Sequence, residues 1–283
     1  MIDVHTHTYP DKIVKKVVQR MEQAAGTRYK NDATPAGLVK SMESAGVEYS
    51  VVLPVATNPG QVGKLNAQAV QLKERYGEHG LLAFGAIHPD TEAPREVLRG
   101  IRQAGLKGIK IHPDYQGTYF DDIRYLRILD AAAEFGLVVL THAGVDEMYP
   151  DHVHCDVKRM VKVIETIEGG HLILAHMGGW QLWEDVKKYI CGAPVYFDTA
   201  FSLSGTVSVE NNGVFGAMLD DARFVDLVRS HGVSNILFGS DSPWSSQKEN
   251  IEWIQSCSLT ETDKKMIFDE NARKLFLDKG KNM

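Results

Sequence analysis

The sequence is poor in cysteine: Cys155, Cys191 and Cys257 are the only three in 283 residues, far apart and without a CxxC pair. That spacing supplies neither a disulfide framework nor a zinc knuckle, and it points to a reducing, cytoplasmic setting. No apolar run approaches the ~18 residues of a membrane span. The opening MIDVHTH lacks the basic start and apolar stretch of a secretory signal. Positive charge is not in excess either, with 31 Lys and Arg against 37 Asp and Glu for a formal net charge of -6. That balance excludes a protein that holds nucleic acid by neutralising phosphates, while leaving room for a small anionic substrate. Repeats, low-complexity tracts and linker-like stretches are missing, so a single domain over residues 1–283 is expected. Charged residues at 24% and hydrophobic residues at 43% exclude disorder and collagen.

What is present is a rhythm. Eight short apolar runs recur, beginning near Ile2, Tyr49, Leu81, Gly108, Gly136, His171, Pro194 and Asn235. Each ends in polar residues, and segments with apolar positions three and four apart lie between them, such as Val157, Met160, Val161 and Ile164. Near-continuous apolar strands alternating with amphipathic helices predict a parallel sheet covered on both faces. Eight such units predict an α/β fold of the (β/α)8 TIM-barrel type with C-terminal helices, whose usual size of ~250 residues suits this chain. An open dinucleotide-binding sheet gains no support, because no run is followed by GxGxxG. The irregular piece from Ser202 to Gly216 would lie over the barrel mouth as a lid or a plain connector. Thr260, with Asp263 three residues on, marks the start of the terminal helices.

In such a barrel the strand C-termini form the functional face, and the histidines gather there. His5 and His7 end the first run, His88 the third, His112 the fourth, His142 the fifth and His176 the sixth. His152 and His154 follow the fifth, and His79, His171 and His231 lie elsewhere. Within IDVHTH the two-residue strand period assigns Asp3, His5 and His7 to the barrel axis and Ile2, Val4 and Thr6 to the other face. Neutral imidazole is the commonest metal ligand. Each of these histidines alone would read as a satisfied strand-end residue, but jointly they read as a convergent site. The glycines of HAG and HMGG would leave backbone room beside a ligand. Asp241, ending the eighth run in FGSDSPW, would face His5 and His7 across the seam, or else cap a helix starting at Ser242 and Pro243.

In order and spacing, IDVHTH, KIHP, THAG, AHMGGW, FGSDSPW and the late ENARKLF resemble the amidohydrolase superfamily, in its amidohydrolase-related branch. That branch includes lactonases and non-oxidative decarboxylases such as aminocarboxymuconate-semialdehyde decarboxylase. The resemblance implies a metal, usually zinc, held by His5, His7, His142 and Asp241, with His176 lining the reacting group. Mn, Fe and Co are alternatives, and the branch implies one metal per chain. TatD-type nucleases share an early HxH and a late DSP, but they place a Glu where this chain has Lys110 and His112.

The expected function is therefore hydrolysis of a small amide or lactone by metal-activated water, with Asp241 as proton acceptor and His176 polarising the carbonyl. One alternative is decarboxylation of a small aromatic or unsaturated acid through the same residues. Another is a catalytically silent metal-binding barrel. Lys110, His112, His88, His154 and Trp244 are candidates for holding the substrate, Lys110 as an ammonium paired with Asp3, Asp241 or a substrate carboxylate. Arg28, Lys30 and Arg124 could hold an anionic group, but each fits an ordinary surface role as well. The expected partner is a small molecule, without nucleic acid or membrane, and a homo-oligomer is compatible with the reading.

Overall fold

The computed structural model describes residues 1–25, 29–206 and 218–277. Parallel strands form at all eight apolar runs: β1 (Ile2–Thr6), β2 (Tyr49–Val52), β3 (Leu81–Ala83, resuming at Gly85–Ala86), β4 (Gly108–Ile111), β5 (Val138–Thr141), β6 (His171–Leu174), β7 (Tyr196–Asp198) and β8 (Ile236–Leu237). The first piece of β3 pairs with β2 and the second with β4. Phe84, between them, donates its N–H to the Val52 carbonyl. The ring is closed by backbone hydrogen bonds across the β1/β8 seam: Val4 N–H to Phe238 O at 2.9 Å, Asp241 N–H to His5 O at 2.8 Å and His7 N–H to Ser242 O at 2.6 Å. The result is a (β/α)8 barrel. Among the described residues no helix is long and apolar enough to cross a membrane.

Short polar side chains start the outer helices. Asp122, Asp156, Asp220 and Ser246 each accept a backbone N–H from the first turn of the helix that follows. The Thr260–Asp263 pair forms a reciprocal capping box, as its spacing predicts. Ser242 and Pro243 begin no helix. The chain runs on to Ser246, which caps Gln247–Ser256, so the Asp241 carboxylate is not spent as a cap. Of the irregular piece from Ser202 to Gly216, residues beyond Thr206 lie outside the described chain, as does Arg28.

The interior corrects one expectation about β1. Ile2 and Val4 belong to a buried cluster with Val51, Leu53, Phe84, Leu140, Ile173 and Leu237. Residues from strands all around a ring can meet only inside it. Asp3 instead faces outward, where its carboxylate accepts from Gln247 Nε2 at 2.8 Å and Ser240 Oγ at 2.5 Å. The strand period breaks at a register shift between Asp3 and Thr6. That irregularity turns His5 inward, because an extra residue in one strand re-aims the side chains beyond it. On β4, Lys110 pairs in register with Leu140 of the interior cluster, so Lys110 does point inward.

His231 sits away from the barrel mouth and stacks on Phe197 with ring centroids 3.7 Å apart. Its Nε2–H donates to Val195 O at 2.9 Å, and Nδ1 accepts from Gly192 N–H at 3.3 Å, so the neutral ring is fully used. Burial pushes its pKa down to about 4 from 6.5. Between those values the unfolded chain binds the extra proton, so stability is full above pH 6.5 and falls as pH drops toward 4. The expected loss is about 3 kcal/mol. Denaturant titrations at pH 7 and pH 4 should show His231→Gln losing less than the wild type over that window. An equal acid loss in both would reject the assignment.

Candidate metal centre

At the mouth of the barrel, three imidazoles are fixed so that one nitrogen lone pair of each faces inward. His5 Nδ1 lies 2.9 Å from Asp198 Oδ2, His7 Nδ1 2.9 Å from Leu53 O and His176 Nδ1 2.9 Å from Ala200 O. Carbonyl and carboxylate oxygens only accept, so in each neutral ring the proton is on Nδ1 and Nε2 is bare. Asp241 Oδ1 then lies 3.2 Å from His7 Nε2 and 3.6 Å from His5 Nε2, acceptor against acceptor. Ligand atoms of His5, His176 and Asp241 all fall within 4.8 Å of one another. Lone pairs crowded in this way repel unless a cation lies among them, and imidazole nitrogen with carboxylate oxygen is a donor set that divalent metals accept. The residues fit a metal.

The backbone is bent to make this arrangement. His176 and Asp241 have φ of 60° and 63°, in the left-handed region that residues with a Cβ seldom adopt. Gly239 is needed for another reason: a Cβ there would lie 3.0 Å from His5 Cβ and 3.3 Å from Asp198 Cβ, crowding that pair. Positive charge on His5, His7 and His176 would hold the Asp241 carboxyl well below the ordinary carboxylate range against the upward push of burial, and with those rings neutral that charge is left for a cation to supply. Burial drives the His5 ring strongly toward its neutral form, reinforced by Lys110.

Lys110 is fully buried, with Nζ 3.5 Å from His5 Nε2. It makes no ion pair among the described residues, so the expected partnership with Asp3 or Asp241 is absent: Asp3 is turned outward and Asp241 is held by histidines. Burial pulls the ammonium down to about 8, against the attraction of Asp198 and Asp241.

A family model described as amidohydrolase matches residues 2–277. The chain belongs to the amidohydrolase family. It is an enzyme of that superfamily, and no curated protein matches it. Its fold is shared by a 2,6-dihydroxybenzoate decarboxylase complexed with 2,6-dihydroxybenzoate, at 15% identity and a TM-score of 0.68 over 97% of this chain and 98% of that one. A 5-carboxyvanillate decarboxylase from Novosphingobium aromaticivorans, with bound manganese and 3-methoxy-4-hydroxy-5-nitrobenzoic acid, gives 15% and 0.68 over 97% and 96%. An amidohydrolase II gives 19% and 0.70 over 97% and 98%.

In this amidohydrolase His142, expected as a metal ligand, has its Nδ1 3.1 Å from His176 Nε2, beside the first centre. His176 joins the group of His5 and Asp241, whereas ligand atoms of His142 group with His112 and Asp146. His112 lines the cavity, stacked between Tyr115 at 3.8 Å and His142 at 4.3 Å. Trp244 and Lys110 also line it.

His88 and His154 do not line the cavity. His88 Nδ1 accepts from Asp90 N–H at 3.1 Å and shapes its own loop. His154 holds Asp114 Oδ1 at 3.0 Å, one residue layer behind the cavity wall. Lys30 pairs with Glu249, and Arg124 with Asp122 and Asp90, at the surface. Gly144 serves backbone packing, since a Cβ there would lie 2.2 Å from Trp180 N, and Gly178 packs against Phe197.

Sequence reasoning missed Asp198, which fixes the His5 tautomer and also accepts the His176 backbone N–H at 2.9 Å. Its signal was available: a carboxylate ending an apolar strand, as Asp241 does. Asp114 and Asp146 were missed as well, because they sit in loops beyond KIHP and HAG, where the strand pattern is silent.

Proposed function

We propose that this amidohydrolase hydrolyses a small carbonyl compound, an amide or a lactone, at the His5, His7, His176 and Asp241 centre. The observation that carries the reading is the Asp241 carboxylate held 3.2 Å and 3.6 Å from two bare imidazole nitrogens at the mouth of a barrel. Those four residues would hold a divalent cation, zinc or manganese, which when bound supplies Lewis-acid polarisation and activation of water. Asp241 takes the proton from the attacking water and returns it to the leaving group. His176, with its proton committed to Ala200 O, presents a lone pair and acts as an acceptor, not as the donor that polarises the carbonyl. A donor that lines the cavity is the Lys110 amine, 3.5 Å from His5 Nε2 and placed to hold the developing oxyanion. Tyr9, Tyr115 and Trp244 wall a cavity of about 810 Å³ and keep a planar substrate from bulk water.

A second reading, decarboxylation of an aromatic acid, is favoured by that aromatic wall beside a buried cation, which suits a ring bearing a carboxylate. The protein of the same fold that carries 2,6-dihydroxybenzoate adds weight to it. Metal-loaded protein offered panels of lactones, amides and aromatic carboxylates separates the readings. Acid release supports hydrolysis and carbon dioxide release supports decarboxylation. Absence of turnover on every panel would favour a catalytically silent barrel.

A further inference from the structure

We propose that the hydrolysed compound carries an apolar chain ending in an anionic group, and that the chain lies between two helices with Arg20 and Arg75 holding its charged end. The inference rests on the hydrolytic reading above and names its substrate class. Between β1 and β2 the chain makes two helices where one unit of a barrel needs one. Pro35–Ala45 packs against Gln247–Ser256, its neighbour in the outer ring, so Val14–Ala25 is the addition, beginning seven residues after His7. The cavity that holds His5, His7 and Asp241 does not stop at the barrel mouth. It continues between this added helix and Val62–Tyr76, lined by Ile13 and Val17 on one side and by Leu65, Ala69 and Leu72 on the other. Those positions recur three and four residues apart, so each helix turns one face to the cavity. Ile13 is 47% exposed there, a large apolar side chain that a ligand chain would cover.

Arg20 and Arg75 set the charge of this arm. Both line the cavity and are exposed, and neither makes an ion pair among the described residues; the Arg75 guanidinium covers the Tyr76 ring at 5.7 Å. Lys12 and Asp11, also on the wall, cancel each other. Barrel helices run opposite to their strands, so Val62–Tyr76 descends from the mouth and Arg75 lies ~15 Å along it beyond Leu65. Arg20 lies ~10 Å beyond Ile13 on the added helix. A short acyl group reacting at the hydrolytic centre would leave the arm unused. A chain ending in a carboxylate or phosphate fills it with methylenes and closes on two guanidiniums, whose fork matches either oxyanion.

Isothermal titration calorimetry with decanedioate, decanoate and succinate, on metal-free and Mn²⁺-loaded protein, tests it. Decanedioate should bind ~10-fold tighter than either of the others, and Arg20→Gln,Arg75→Gln should abolish its preference over decanoate. Val17→Trp, which narrows the arm without touching a charge, should bring decanedioate down to the affinity of succinate and leave succinate unchanged. A decanoate bearing a terminal phosphate, run beside decanedioate, tells which oxyanion the arginines take. Equal affinity for decanedioate and decanoate in the wild type, absent binding of both included, or a preference that survives loss of both arginines, would overturn the proposal. The comparison concerns only the far end of the chain, so it fails separately from hydrolysis, which the turnover panels judge.

Discussion

Replacing Asp241 by asparagine is expected to lower kcat by ~10³-fold or more while the barrel stays folded. The side chains have the same shape, and the strained backbone at residue 241 tolerates Asn better than most residues. What changes is the chemistry toward His7 Nε2, 3.2 Å away. An amide can turn its N–H₂ toward that lone pair and satisfy it, which removes an anionic ligand, the proton acceptor and the crowding that invites a cation. Steady-state kinetics on the substrate found by the panels, with circular dichroism as the control, measure the effect. Activity within tenfold of wild type, a barrier change of ~1.4 kcal/mol, would be too small for loss of an essential base.

Lys110→Met is expected to make the protein more stable and much less active. The wild-type ammonium is buried without an ion pair among the described residues, and its pKa is pulled to about 8 from 10.5. A base whose pKa is lowered on folding carries its full penalty below the folded value and sheds it as pH rises toward the unfolded one. At pH 7 the penalty is about 3 kcal/mol. Methionine fills a similar volume without the charge. Calorimetry at pH 7 should show a Tm several degrees above wild type, at roughly 2–4 °C per kcal/mol for a chain of this size. The advantage should shrink between pH 8 and pH 10.5 as the wild type gains stability. In parallel, kcat/KM should fall ~10²-fold through loss of the donor that holds the oxyanion. A variant less stable than wild type at pH 7 would mean that the lysine serves the fold, and that the stabilising charge has been assigned to the wrong task.

Much of the architecture was legible because parallel strands covered on both faces must be apolar almost throughout, and each such run here does become a strand. The site was legible less evenly. His5 does reach the axis, but the strand period predicts this for a reason the structure removes: the register shift after Asp3 turns the ring inward, and Asp3 itself points out to Gln247. Alternation along a strand cannot foresee an irregularity that depends on how the partner strand pairs. His176 illustrates the same limit, since a left-handed residue breaks the pattern at the position that matters. Being at a strand end did not bring His88 to the cavity, because its loop folds back and uses the ring locally. Asp198 carries the same strand-end signature as Asp241, but its work is to orient His5 and not to ligate.

The bare nitrogens of His5 and His7 are proposed to hold a divalent cation with Asp241. The measurement that tests it most directly is the metal content of purified, folded His5→Ala,His7→Ala beside wild type, after both are loaded and desalted together. The account predicts that the variant loses one equivalent of metal relative to wild type, with its circular dichroism intact. Wild-type metal content in that folded variant would contradict it.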